Sequence, residues 1–220
     1  MIVLAACSTI PEGQRSTRDP KGPPAIDGST VERHASQLDE EQPERPAGSQ
    51  EELAASAYLV AHLADAGYVT RLDAVPVKDL VRSTNAVGLP PSGADPSALV
   101  TVGYDTAPGA GPAGAAVGFW LELARALRVV DPDHSIGFVG LGAENTPIEG
   151  GHLGSRRLVN LLRERGDTPE ILVINEISPR GAYRAVDGDD VFTAAGFETT
   201  VVGGGARRVG TKLLEYLTTL

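Results

Sequence analysis

The sequence predicts an α/β protein: a three-layer sandwich in which a mostly parallel central sheet is flanked by helices. Three observations lead there. Residues 99–102, 136–141 and 171–174 are short apolar runs without polar–apolar alternation, the pattern of strands covered on both faces. Residues 119–127 and 153–165 instead carry apolar side chains at helical spacing. The two kinds of segment alternate along the chain, as they do where helices carry it between parallel strands.

Cys7, near the N-terminus, is the sole cysteine, so neither an intrachain disulfide nor a cysteine zinc site is available. It stands in Leu4-Ala-Ala-Cys7-Ser8, which resembles the lipobox of bacterial lipoproteins, where the cysteine is acylated and becomes the mature N-terminus. The apolar run before it, residues 1–6, is shorter than a signal-peptide core and has no basic leader. Either the start lies further upstream or the match is chance. The lipobox is the preferred reading, with residues 1–7 as a truncated signal and localisation at a bacterial envelope, lipid-anchored or secreted. Residues 8–30, with Pro11, Pro20, Pro23 and Pro24 among Gly, Ser, Arg and Lys, then read as a flexible tether or as a frayed terminus. Residues 31–220 form the folded domain.

Within that domain, residues 31–38 read as a short helix and 41–48 as a proline-containing turn. Ser49 caps the next helix and Glu52 completes a capping box. Its apolar face is assigned to Leu53, Ala57, Val60 and Ala64, flanked by Leu59, Leu63 and Ala66, and Gly67 ends it. Residues 68–77 form a strand that Pro76 places at a sheet edge. Residues 84–88 begin a second strand and 90–96 form a loop. Residues 203–208, Gly-Gly-Gly-Ala-Arg-Arg, lack P-loop spacing and read as a flexible turn before a helix at 211–217. Asp187-Gly-Asp-Asp190 lacks the twelfth-position glutamate of a calcium loop. Ser135 and Ser178 have no histidine at motif spacing.

The formal net charge of -10 argues against nucleic acid and anionic membrane surfaces as partners. No run of about 18 apolar residues occurs.

The order of motifs resembles the M28 family of zinc exopeptidases, in which aminopeptidases are prominent. The matching residues are Glu44-Arg-Pro-Ala-Gly-Ser49, Thr84-Asn85, the strand ending Val102-Gly-Tyr-Asp105, the loop Ala107-Pro-Gly-Ala-Gly-Pro-Ala-Gly114, the strand ending Gly142-Ala-Glu-Asn145, and Leu153-Gly-Ser-Arg156. The resemblance covers roughly two thirds of the chain and fades after Ile177. It implies the zinc-exopeptidase fold, and leaves open whether the C-terminal strands are present in this chain or missing from it. Two zinc ions, two histidines and three carboxylates would make the working site.

On that correspondence the first histidine falls on Gly103, the bridging aspartate on Pro112 and a ligating glutamate on Asn145. The next carboxylate falls on Glu176, or on Ile177 if the register slips by one. Asp105 matches the residue that orients a ligand, and Glu144 the general base. Glu176 and His152 are the remaining candidates for a substitute metal site; His34, His62 and His134 read as surface positions. The expectation is a catalytically inactive envelope lipoprotein that binds a peptide or protein partner and needs no cofactor. The alternative is a metal-dependent aminopeptidase with a non-standard zinc site.

Overall fold

The computed structural model describes residues 25–78, 82–110, 113–131, 133–178, 184–185 and 191–220. Cys7, Pro112 and the 187–190 segment lie outside the described residues, as do the side chains of Glu176 and Ser178.

Two helices, α1 (Gly28–Glu41) and α2 (Gln50–Asp65), precede β1 (Val69–Pro76), β2 (Arg82–Leu89) and β3 (Ala98–Gly103). Then follow α3 (Gly114–Val130), β4 (Ile136–Leu141), α4 (Leu153–Arg165) and β5 (Glu170–Ser178). The described chain ends with β6 (Arg184–Ala185), α5 (Val191–Ala194), β7 (Thr199–Gly205) and α6 (Ala206–Leu217). The sheet has seven strands in the order β1-β2-β4-β3-β5-β7-β6. Its centre, β4-β3-β5-β7, is parallel, and β1, β2 and β6 are antiparallel additions at the edges. Pro76 does lie in an edge strand, at its end and opposite Arg82.

Successive strand residues feed opposite layers. Val100, Val102, Phe138 and Ile174 meet α1, α2, α3 and α6 in the larger core, while Leu99, Val139, Leu141 and Ile171 meet α4 and α5 in the smaller. The expected three-layer sandwich is therefore present. The helices α1 and α3 pack closely because a Cβ on Gly118 would lie 2.6 Å from the Val31 carbonyl oxygen. Ile26 is buried and meets Gly210 of α6, so packing begins inside the stretch assigned to the tether.

Three details differ from the sequence expectation. In α2 the buried side is Glu52, Ala55, Ser56, Leu59 and Leu63, whereas Leu53 is 51% exposed and Ala57 and Ala64 face solvent. Residues 203–205 are not a flexible turn but the end of β7, paired with both β5 and β6. His134 is 4% exposed rather than on the surface. Its Nδ1 accepts the Ile136 amide at 3.0 Å and its Nε2 lies 3.1 Å from the Tyr68 hydroxyl. His34 and His62 are half-buried, edge to face with centroids 4.7 Å apart, and His34 bonds the Tyr58 hydroxyl.

Candidate functional site

In a parallel sheet, loops leaving the carboxyl ends of the strands open onto one crevice. Here β3, β4 and β5 deliver Asp105, Glu144 and Asn175 to such a cleft of about 570 Å³. One wall is made of small residues, among them Ala107, Ala110, Ala113 and Ala116, from the loop before α3 and from α3 itself. That loop is held from α1 and just beyond it: Asp39 accepts the Ala113 and Gly114 amides, capping α3, and Glu44 accepts the Gly109 amide. The floor is apolar, with Leu141, Ile174, Ile177 and Phe192.

The chain leaving β4 is fixed by side chains from three other elements. Asn85 accepts the Gly142 amide at 3.1 Å, and Glu52 accepts the Ala143 amide at 3.1 Å. Asp105 then takes the amides of Glu144 at 2.8 Å, Asn145 at 2.9 Å and Thr146 at 2.8 Å, with the Thr146 hydroxyl at 2.8 Å. Five consecutive amides thus end on buried acceptors. Glu52 also receives the Ser83 hydroxyl and the Gly48 amide. Burial pushes the carboxyl groups of Glu52 and Asp105 above their usual range, against the opposing pull of their hydrogen bonds.

Asn145 folds back over Asp105, its Nδ2 donating to the Asp105 carbonyl at 2.9 Å. A Cβ on Gly103 would lie 2.8 Å from that Nδ2, so the asparagine amide fills the space a side chain at 103 would need. Glu144 turns toward α4. Its Oε2 accepts the Ser155 amide at 3.0 Å, and its Oε1 accepts the Ser155 hydroxyl at 2.6 Å and His152 Nδ1 at 2.9 Å. The carboxylate therefore sits between serine and histidine, whereas a nucleophilic triad needs the imidazole in the middle. Its hydrogen bond to Glu144 lifts the His152 pKa above the usual imidazole value.

Asp105, Glu144 and His152 are thus brought together at one cleft, and the backbone of residue 176 follows Asn175 at its edge. Ile177, the other position considered for the last carboxylate, lines the apolar floor; β5 is irregular between Ile174 and Ile177. Zinc fits this donor set poorly. The Asp105 oxygens are saturated by N–H and O–H donors and Glu144 has three such bonds, and no group of three His, Cys, Asp or Glu side chains suited to a metal occurs among the described residues. Sequence reasoning missed Glu52, Asn85, Thr146 and Ser155 as parts of this site. For Glu52 there was one usable signal, since its helical spacing places it on the face of Leu59 and Leu63.

No family model matches this chain, and no curated protein matches it. Solved structures do. A leucine aminopeptidase precursor from Bacteroides thetaiotaomicron aligns over 90% of this chain and 99% of its own, with a TM-score of 0.70 and 14% identity. A putative zinc-dependent exopeptidase from Bacteroides vulgatus gives 0.68 and 13%, covering 88% of this chain and 96% of its own. A Fimbriiglobus ruber glutaminyl cyclase gives 0.67 and 18%, covering 89% and 96%. At such identities the likeness is one of fold, and the fold is that of the zinc exopeptidases and glutaminyl cyclases.

Proposed function

We propose that this chain is a binding protein on a zinc-exopeptidase scaffold, holding a peptide or protein partner in the cleft without hydrolysing it. The supporting observation is the saturation of two cleft carboxylates, Asp105 and Glu144. Asp105 gives its oxygens to the 144–146 backbone, and Glu144 gives its own to Ser155 and His152. To act as ligand or base, either would have to abandon buried N–H donors, each at a cost of about 1–3 kcal/mol. In the resemblance, Gly103 and Asn145 stand at ligand positions, and here the asparagine amide occupies the space beside Gly103. Water that no metal polarises keeps its very high pKa, beyond the reach of a lone carboxylate base.

The same reading places the chain at a bacterial envelope through a lipid on Cys7; incorporation of labelled palmitate, lost in Cys7→Ser, tests that part. The decisive experiment on function is zinc analysis of the purified protein alongside a leucine-anilide assay with and without added zinc. The expected result is substoichiometric zinc and no turnover. Stoichiometric zinc with turnover that disappears in Glu144→Gln would instead establish a metal-dependent aminopeptidase.

A further inference from the structure

We propose that the cleft receives its ligand by a carboxylate, seated at His152 and Arg156, with an apolar group laid on the floor beyond. This rests on the binding function proposed above and names the chemistry of the ligand.

Among the described side chains, the two cleft acids that a ligand's free amine would seek are already engaged. Asp105 is 1% exposed with its oxygens filled by the 144–146 segment, and Glu144 carries three bonds from Ser155 and His152. His152 is different. Its side chain is 57% exposed and lines the cleft, its Nδ1 is spent on Glu144, and its Nε2 has no partner among the described residues. The Glu144 carboxylate at Nδ1 favours the charged imidazole, the form in which Nε2 is an N–H donor facing the cleft.

The charged groups around this imidazole are few. Glu144 is its partner, Asp105 is buried behind, and Arg156 lies on the next turn of α4. Arg156 Nη1 donates to the Glu149 carbonyl at 3.1 Å, and its Nη2 lies 3.6 Å from where a Cβ on Gly150 would stand. The guanidinium therefore lies along the turn that carries His152. Glu149, on the same turn, is exposed. Arg156 is not itself part of the cleft lining, but it is near enough to act on the charge of His152, and two cationic groups on one turn suit a carboxylate better than an ammonium.

The backbone gives an independent reason to assign His152 a role. Glu149, Gly150, Gly151 and His152 have φ of 51°, 84°, 72° and 56°, four consecutive positive values, with His152 in the left-handed conformation. Two of the four are not glycine and rarely adopt this conformation. Such strain persists only where surrounding bonds impose it. Here the His152 amide donates to the Glu144 carbonyl and the Leu153 amide to that of Ala143. The result holds an exposed imidazole at the cleft beside the apolar floor of Leu141, Ile174, Ile177 and Phe192.

Calorimetric titration of the full chain, with chelator present, separates the possibilities using two small probes. N-acetyl-leucine has a carboxylate and an apolar side chain but no amine; leucinamide has the amine and no carboxylate. The expected result is N-acetyl-leucine binding at least about tenfold tighter than leucinamide. His152→Gly and Arg156→Ala should each weaken it by about fivefold or more. Glycine is the chosen replacement at 152 because it keeps the left-handed turn, so the loss reports the imidazole and not the backbone. Tighter binding of leucinamide would overturn the carboxylate assignment while leaving a binding protein. Binding of N-acetyl-leucine unchanged by both substitutions, or no binding of either probe, would also overturn it. The zinc and anilide measurements above judge the non-hydrolytic reading separately.

Discussion

Replacing Asp105 by alanine removes the acceptor on which the β4–α4 connection closes. Three amides (Glu144, Asn145 and Thr146) and the Thr146 hydroxyl lose their partner at a residue 1% exposed. Hydrogen bonds to a charged group contribute about 1.5–3 kcal/mol each, so four give an upper limit of roughly 6–12 kcal/mol. Two effects reduce it. Water can enter the vacated space beside an open cleft, and removing the carboxylate also relieves a burial cost that already pushes its pKa upward. What remains is comparable to stripping one partner from a buried charged network, about 3–5 kcal/mol. Domains are stable by about 5–15 kcal/mol, so the variant should remain folded. For a chain of this size each kcal/mol lowers Tm by about 2–4 °C, and a fall of about 10 °C is expected. Urea unfolding with an unchanged m-value is the direct assay. Glu44→Ala, which removes one surface bond of 3.3 Å to Gly109, serves as control at under about 0.5 kcal/mol. If Asp105→Ala costs less than about 1 kcal/mol, the carboxylate is not what fixes the connection, and the saturation argument for the site fails with it.

The two faces of α2 give a second check by the same unfolding assay: Leu59→Ala, fully buried, should cost about 2–5 kcal/mol, and Leu53→Ala, 51% exposed, under about 0.5 kcal/mol. A third concerns acid. His134 is held neutral by burial, which lowers its pKa from 6.5 to about 4. The unfolded chain therefore binds the extra proton first. The stability this residue contributes is complete above 6.5 and is lost as pH falls toward about 4. Urea midpoints measured between those limits should fall more steeply for the native protein than for His134→Gln; equal slopes would place the acid sensitivity elsewhere.

How much of this was legible in the sequence depended on whether a residue's surroundings were local. The strands at 99–102 and 136–141 were readable because a strand covered on both faces shows no polar–apolar alternation; the hydroxyl of Thr101 is buried and donates to the Leu172 carbonyl. Ser49 was readable because its partner, the Glu52 amide, is three residues away. The buried side of α2 was misassigned because Glu52 and Ser56 lie on it; polar residues there look like solvent positions until Ser83 of β2 and Ala143, just after β4, arrive to satisfy Glu52. The end of β7 was missed because three glycines carry no side-chain pattern, and only pairing with β5 and β6 makes them a strand. His134 became interior for a similar reason, through Tyr68, 66 positions distant. At the cleft, the positions of Asp105 and Glu144 followed from strand ends, but what each carboxylate binds did not.

That difference between position and partner decides how the cleft can work. A carboxylate at the end of a parallel strand can face outward and hold a cation, or face inward and hold backbone. Asp105 faces inward: with Asn85 and Glu52 it completes a row of acceptors for the amides of residues 142 to 146, so the loop is fixed before any ligand arrives. Glu144 likewise spends its charge on the start of α4, and what it leaves at the cleft is an oriented imidazole. On the reading proposed above, a site in which Asp105 and Glu144 support the scaffold, while the exposed His152 lines the opening, is preorganised for an acceptor-bearing ligand, and neither of these two carboxylates is free to activate water.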